Sequence, residues 1–189
     1  MQIIGGIASG IHLTVPKGFL VRPTLARSRK SLFDSMGNFA GLKVADFFAG
    51  TGAVGLEAAS RGAYEIWFLE SESRNCKIIE ENIAKVAKAG VKAELKVVCS
   101  NVLHSYLRIP HVDVIFADPP YADSEEMLKK VLSDAKFAEW AENSLLVWEL
   151  PGNRRLEVIN NILSESGMWK SVKRRNFGET EFLFLRTAT

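Results

Sequence analysis

The chain has 189 residues, of which 47% are hydrophobic and 24% are charged, and its formal net charge is +2. This length and composition are typical of a globular protein with one well-filled domain. No apolar run approaches the roughly 20 residues of a membrane-spanning helix, and the N-terminus lacks the pattern of a signal peptide, so we expect a cytoplasmic protein with no membrane partner.

Two short strands are predicted at the N-terminus, at residues 3–7 and 12–15, with a turn at residues 8–10 between them. A helix is predicted to follow, with Thr24 as its N-cap, because apolar residues recur at helical spacing up to Phe39. Residues 1–40 are therefore predicted to form an N-terminal extension made of a β-hairpin and a helix.

Basic residues accompany this helix, namely Arg22, Arg27, Arg29 and Lys30. Residues 1–33 hold five basic and no acidic residues, residues 34–169 hold 14 and 20, and residues 170–189 hold five and two. The basic residues could form an ordinary solvated helix face, or they could bind phosphate groups. Because the acidic middle would repel a polyanion, the basic ends are the expected contact surface.

From Lys43 onward, short apolar runs alternate with amphipathic helices, which predicts a doubly wound α/β sheet. The seven predicted strands are residues 44–48, 66–69, 95–99, 112–117, 145–150, 171–175 and 181–186. The four predicted helices between them are residues 54–61, 73–89, 124–133 and 156–165. Ligands of such sheets bind at the carboxyl ends of the strands, where Asp46, Glu70, Asn101 and Asp118 are expected.

A glycine-rich loop follows the first sheet strand, where Gly50, Gly52 and Gly55 satisfy the pattern G-x-G-x-x-G. Glu70, 20 residues after Gly50, is placed to accept both hydroxyls of a ribose. These features fit NAD as well as S-adenosylmethionine. Asp46 separates the two cofactors, because a carboxylate there is unfavourable beside a pyrophosphate but suits the ammonium and sulfonium of S-adenosylmethionine. Asp46 could instead cap the loop amides.

Asn101 follows the third sheet strand. Its side-chain carbonyl could bond the adenine amine of the cofactor, or the residue could be a simple turn residue. The predicted cofactor-binding residues are Asp46, Phe48, Ala49, Gly50, Thr51, Gly52, Glu70, Ser71, Asn101 and Val102.

The tetrapeptide Asp118-Pro119-Pro120-Tyr121 ends a buried apolar run. The two prolines offer carbonyl oxygens and no N–H groups, so this strand end is rich in acceptors. If Asp118 and the Pro119 carbonyl each accept one hydrogen of an exocyclic base amine, the nitrogen can direct its lone pair at an electrophile. Tyr121 can stack on the base. The same four residues could also be a plain strand stop.

Cysteine and histidine provide no metal-binding pattern. Cys76 and Cys99 belong to different predicted elements and lack metal-ligand spacing, so we predict reduced core thiols instead of a disulfide or a zinc site. The three histidines are scattered along the chain. No metal site is predicted.

With these motifs placed, the chain resembles the RsmD family of 16S rRNA guanine-N2 methyltransferases over nearly its whole length. The resemblance is carried by Ile3-Ile4-Gly5-Gly6, Arg22-Pro23-Thr24 with Arg27, Arg29 and Phe33, the segments 46–52, 56–58 and 60–63, Glu70, and the motif at residues 118–121. It implies the Rossmann-like seven-stranded sheet of class I methyltransferases with an antiparallel last strand, a catalytic domain at residues 41–189, and S-adenosylmethionine as the methyl donor.

The resulting prediction is methyl transfer to N2 of a guanine in small-subunit rRNA, free or in the 30S particle, by a monomeric enzyme that uses Asp118, Pro119, Pro120 and Tyr121 for catalysis. Its predicted RNA contacts are Arg22, Arg27, Arg29 and Lys30.

A DNA adenine-N6 methyltransferase is an alternative, because the motif at residues 118–121 occurs there too. About 40 residues before the sheet, however, are too few for a target-recognition region. A non-catalytic rRNA-binding assembly factor is the other alternative, and the intact acids argue against it.

Overall fold

The described part of the chain forms one sheet with helices on both faces. The computed structural model describes residues 1–16, 18, 23–120, 124–152, 156–178 and 180–188. The strands within these residues are β1 (Lys43–Phe47), β2 (Glu65–Glu70), β3 (Glu94–Cys99), β4 (Val114–Ala117), β5 (Leu145–Pro151), β6 (Trp169–Phe177) and β7 (Thr180–Thr187). The helices are α1 (Pro23–Met36), α2 (Ala53–Ser60), α3 (Ser73–Lys88), α4 (Val102–Ser105), α5 (Ser124–Leu132), α6 (Ala135–Trp140) and α7 (Leu156–Ser166), with a 3₁₀ turn at Tyr106–Arg108.

The strand order is β3-β2-β1-β4-β5-β7-β6. The pairs between β3 and β5 are parallel, whereas β7 is antiparallel to both of its neighbours. All seven predicted strands and the antiparallel last strand are confirmed, and this is the class I methyltransferase fold. The strand order reverses at β1 and β4, so the carboxyl ends of these two strands border the crevice where such sheets bind ligands.

Apolar cores fill both faces of the sheet. On the face covered by α1 to α3, the ring of Phe33 lies 5.1 Å from that of Phe39 and 5.4 Å from that of Phe116. On the other face, Tyr106 and Phe137 pack edge to face with ring centroids 5.2 Å apart. Burial of one such side chain stabilises the fold by roughly 1.5–3 kcal/mol. The two cores therefore hold the strand ends in fixed positions.

The N-terminal hairpin prediction is wrong. Among the described residues, 3–7 and 12–15 form no strands, and one isolated antiparallel bridge joins Gln2 to His12. The physical reason is that α2 takes the hydrogen-bond donors that a strand ladder would need. The backbone N–H groups of Ile4 and Gly5 donate to the carboxylate of Glu57 at 2.7 and 2.9 Å.

The end of α2 also binds the residues that follow. Ile7 N–H donates to the Ser60 carbonyl and Ala8 N–H donates to Ser60 Oγ, both at 2.9 Å. Gly6 has φ 75°, and a Cβ at this position would lie 1.8 Å from the Ser60 carbonyl oxygen. A side chain at residue 6 cannot be accommodated, so the two glycines of this segment allow it to dock closely on α2.

Helix α1 begins at Pro23, one residue before the predicted N-cap Thr24, and proline fits the first position of a helix. Leu32 and Phe33 are buried, which confirms the predicted apolar face. The short helices α4 and α6 were not predicted. No helix within the described ranges is long and apolar enough to cross a membrane.

Cys76 and Cys99 form a disulfide, so the prediction of two reduced thiols is wrong. Cys76 lies in the first turn of α3, and Cys99 ends β3 directly opposite Glu70 of β2. Because α3 starts just after β2, residues that are 23 positions apart in sequence become neighbours, with Cα atoms 6.0 Å apart. Spacing along the chain gave no sign of this proximity.

Candidate functional site

A cavity of about 810 Å³ opens at the carboxyl ends of the central strands, and five acidic side chains line it, including Glu72 just before α3. Asp46 and Glu70 lie at the ends of β1 and β2, Asp118 follows β4, and Glu149 lies in β5. The strand register aligns residue 46 with 116 and residue 117 with 148, so these side chains come from adjacent strand ends. The sequence analysis predicted three of the five and missed Glu72 and Glu149.

The glycine loop adopts left-handed backbone conformations, with φ of 60° at Phe48, 55° at Gly50 and 76° at Gly52. Positive φ at a phenylalanine costs roughly 1–3 kcal/mol and persists only where the surroundings enforce it. Here Gly50 N–H donates to Glu70 Oε2 at 2.8 Å, and the Phe48 ring packs edge-on against Trp148 at 6.3 Å. Glu70 therefore fixes the loop as well as lining the cavity.

Asp46 connects the loop to the start of α2. Its Oδ2 accepts a hydrogen bond from Gly55 N–H at 2.8 Å, so the loop-capping role considered from the sequence is realised. A Cβ on Gly55 would lie 2.5 Å from the ring of Phe68, so glycine is required for α2 to pack closely on β2. Asp46 Oδ1 accepts no hydrogen bond from the described residues, and the side chain also lines the cavity.

The electrostatics of the cavity favour a cation. Burial raises the pKa of Asp46 to about 8; the Gly55 N–H and Arg29 act against this rise, and the charges of Asp118 and Glu70 add to it. Burial also raises the pKa of Asp118 to about 6. More than a third of the Asp118 surface is accessible, but it faces the cavity with protein around it. A positively charged ligand would relieve the repulsion among these acids.

The proline motif follows β4 directly. Asp118 N–H donates to the Phe47 carbonyl at 3.4 Å, which continues the pairing with β1 by one residue. Pro119 is buried, Pro120 is exposed, and both line the cavity. The predicted stacking residue Tyr121 lies outside the described residues, so its role stays a prediction.

Most of the predicted site residues meet in this one cavity. Those that line it are Asp46, Phe48, Ala49, Gly50, Thr51, Glu70, Ser71, Asp118, Pro119 and Pro120. Gly52, Asn101 and Val102 do not line it. The Asn101 side chain caps α4 by accepting from Leu103 N–H at 3.1 Å, and Val102 is buried. Contacts of these three residues with a cofactor stay predictions.

The predicted RNA-binding residues are divided by the fold. Arg27 and Lys30 are exposed on α1, and Lys30 pairs with Asp34. Arg29 is only 7% exposed and lines the cavity, so it does not share their surface. Arg22 lies outside the described residues.

Asn82 of α3 was missed by the sequence analysis. It is completely buried, and its Nδ2 donates to the carbonyls of Thr14 and Thr51, both at 3.0 Å, while its Oδ1 accepts from Thr14 N–H at 2.7 Å. Asn82 thereby ties the N-terminal segment to the glycine loop. A sequence signal was present, because Asn82 lies on the apolar face of α3, three residues after Ile79 and four before Val86.

Other lining residues were also missed, among them Ser28, Leu32, Glu72, Asn75, Glu149 and Phe182. Glu149 had a usable signal, because an acid near the carboxyl end of a predicted apolar strand satisfies the criterion that selected Glu70. Ser28 and Leu32 had none, because only the packing of α1 places them at the cavity.

Comparisons with known proteins agree with this geometry. The model of the family Conserved hypothetical protein 95 matches residues 1–186. Ribosomal RNA small subunit methyltransferase D of Escherichia coli (strain K12) is 30% identical over 193 aligned positions, covering 100% of this chain and 91% of that protein. A solved structure from Escherichia coli, named as a putative methyltransferase, has a TM-score of 0.72 at 24% identity and covers 100% of this chain and 98% of that one. Another solved structure, named as a putative methyltransferase in complex with S-adenosylhomocysteine, has a TM-score of 0.67 at 14% identity and covers 89% of this chain and 50% of that one. The two structural likenesses concern the fold alone.

Proposed function

The chain belongs to the family Conserved hypothetical protein 95, the RsmD family, and from this premise we propose that it transfers a methyl group from S-adenosylmethionine to N2 of a guanine in small-subunit rRNA. The observation that carries the proposal is one acid-lined cavity in which the glycine loop meets the Asp118-Pro119-Pro120 motif. We assign the catalytic role to residues 41–189 and RNA contact to residues 1–40.

The lining residues fit S-adenosylmethionine as the cofactor. Bound there, it supplies an electrophilic methyl group on a cationic sulfur. Asp46 would bind the ammonium, since its Oδ1 has no described hydrogen-bond partner. Glu70 would bind the ribose while it holds the loop through Gly50 N–H. The excess of carboxylates matches the cation and disfavours the pyrophosphate of NAD.

The motif after β4 supplies acceptors for the base amine. The Asp118 carboxylate and the Pro119 carbonyl would each accept one hydrogen of the exocyclic amine and so free its lone pair. Because the pKa of Asp118 is about 6, its carboxyl is mostly ionised at neutral pH and is then a pure acceptor. The contribution of these residues is positioning and polarisation, which needs no covalent enzyme intermediate.

The adjacent acid supports guanine over adenine as the target. Glu149 is 8% exposed and lines the cavity beside Asp118. On the Watson–Crick edge of guanine, N1–H lies next to the N2 amine and donates a hydrogen bond, which a carboxylate accepts. On adenine, N1 is an acceptor and would meet the carboxylate unfavourably.

RNA contact is proposed at the exposed side of α1. Arg27 and Lys30 project from the helix that supplies Ser28 and Arg29 to the cavity. Ser28 Oγ donates to the Phe177 carbonyl at 3.1 Å, which joins α1 to β6. The exposed basic residues of α1 would thus lie near the cavity and attract phosphate groups.

Calorimetry tests the cofactor. We expect S-adenosylhomocysteine to bind and NAD not to bind. Because the pKa of Asp46 is about 8 in the free protein, the carboxyl must lose a proton to pair with the ligand ammonium. Affinity should therefore rise by up to about tenfold per pH unit between pH 6 and 7.5, with proton release into the buffer.

The Asp46→Asn variant is the matched control for this pH dependence, because asparagine can still accept from Gly55 N–H but cannot titrate. Its affinity should be lower and nearly independent of pH. Comparable binding of NAD by the wild type would refute the cofactor assignment. A flat wild-type pH profile with intact S-adenosylhomocysteine binding would refute only the role of Asp46.

A salt series tests the RNA surface. Replacing Arg27 and Lys30 together by alanine should weaken binding to small-subunit rRNA or the assembled subunit and reduce the log–log salt slope by about one unit per lost phosphate contact. The control replaces Lys88 and Lys92, two exposed residues at and just after the C-terminal end of α3, and removes the same charge. Equal slopes for the two double variants would mean that Arg27 and Lys30 form an ordinary solvated helix face and do not contact phosphate groups.

A further inference from the structure

Arg29 is a buried cation with few partners. Its side chain projects from α1, and the residue is 7% exposed. Of its five N–H donors, one makes a described hydrogen bond, from Nη2 to the Gln2 carbonyl at 2.6 Å. Its Nε is fully buried and has no hydrogen-bond partner among the described residues, and no described carboxylate forms an ion pair with Arg29. A buried guanidinium without a paired anion is destabilising, so a bound anion would stabilise this part of the protein.

The two neighbouring acids do not neutralise the charge of Arg29. Burial lowers the pKa of Arg29, and the charges of Glu57 and Asp46 act against that. Glu57, however, is bound by Ile4 N–H, Gly5 N–H and Arg61. The pKa of Asp46 is about 8, so its carboxyl is largely neutral at pH 7 in the free protein.

The position of Arg29 in the cavity indicates which anion would fit. It is the one basic side chain among the described residues that line the cavity, whose other ionisable lining side chains are acidic. It is also close enough to Asp46 to influence its ionisation. A guanidinium beside a carboxyl group complements a ligand that carries a carboxylate and an ammonium on the same carbon.

We propose that Arg29 binds the α-carboxylate of the cofactor's methionine part, beside Asp46, which takes the ammonium. This assignment rests on the proposed function. It replaces the expectation that Arg29 contacts RNA and leaves that role to the exposed Arg27 and Lys30. A planar guanidinium can bind a carboxylate through two parallel hydrogen bonds, which positions the cofactor as well as holding it.

Paired ligands test the assignment by calorimetry. S-adenosylhomocysteine and its decarboxylated analogue, S-adenosyl-3-thiopropylamine, differ only in the carboxylate. The wild type should prefer the first by about 10- to 100-fold, the range for a hydrogen bond to a charged group. Arg29→Gln should lose most of this preference, because it binds S-adenosylhomocysteine more weakly and the analogue about as well as before. Arg29→Lys should retain part of it.

Arg27→Gln is the matched control, since it removes an exposed arginine from the same helix and should keep the full preference. Equal wild-type affinity for the two ligands would overturn the assignment without any variant, even if Arg29→Gln fails to fold. Equal weakening of both ligands by Arg29→Gln would also overturn it, because that result indicates a structural role. If the wild type binds neither ligand, the proposed function itself fails.

Discussion

Replacing Asp118 by alanine should reduce the rate of methyl transfer by roughly 10²–10³-fold, the range for removal of one positioned hydrogen-bonding group at the reacting atoms. Asp118 follows β4 at the cavity and is the acidic member of the proline motif. Cofactor affinity should stay the same or rise slightly, because the charge of Asp118 disfavours ionisation of Asp46. Single-turnover kinetics measures the rate of methyl transfer, and calorimetry with S-adenosylhomocysteine measures the cofactor affinity, so the two effects are separated.

Two variants sharpen the test at Asp118. Asp118→Asn keeps a carbonyl acceptor and should retain partial activity. Asp113→Ala removes an exposed acid that precedes β4, at the opposite end of the strand, and should leave turnover nearly unchanged. Wild-type turnover in Asp118→Ala would refute the acceptor role.

Replacing Glu57 by alanine should destabilise the fold by about 3–5 kcal/mol, the usual loss when one partner of a buried ion pair is removed. Glu57 is completely buried, and its carboxylate binds Ile4 N–H, Gly5 N–H and Arg61 Nε at 2.7 to 2.9 Å. Without it these donors lose their acceptor, and the N-terminal segment loses its main attachment to α2. For a chain of this length, Tm should fall by about 2–4 °C per kcal/mol.

The control for Glu57 is an acid in an exposed ion pair. Glu165 pairs with Lys129 at 2.7 Å, and both side chains are more than half exposed. Glu165→Ala should therefore change stability by less than about 1 kcal/mol. Similar Tm values for the two alanine variants, measured by circular dichroism, would mean that Glu57 does not anchor the N-terminal segment.

The sequence was sufficient to predict the strands of the sheet, because apolar runs such as Val114–Ala117 can be recognised in the sequence without knowing how the strands pair. The same is true of the acids at strand ends, because their places follow from the ends of those runs. The hairpin failed for the opposite reason. The short apolar segments suggested a hairpin formed by neighbouring residues. The backbone N–H groups of Ile4 and Gly5 instead donate to Glu57, more than 50 positions away.

Long-range packing explains the other differences as well. Arg29 and Arg27 are two positions apart in sequence and equally basic, yet only Arg29 turns into the cavity, because of how α1 packs on the sheet. The Cys76–Cys99 pair likewise depends on the register of β2 and β3. A residue pattern identifies the type of element, whereas the face of α1 that reaches the cavity is set by tertiary contacts.

The most direct test of the proposed activity is the identity of the methylated nucleoside. Purified protein, isotopically labelled S-adenosylmethionine and unmethylated small-subunit rRNA or assembled particles would be incubated, followed by complete digestion and mass analysis of the nucleosides. The Asp118→Ala variant provides the blank. We predict label in N2-methylguanosine and none above the blank in other nucleosides. Label in N6-methyladenosine, or no label in either form of the small-subunit substrate, would contradict the proposal.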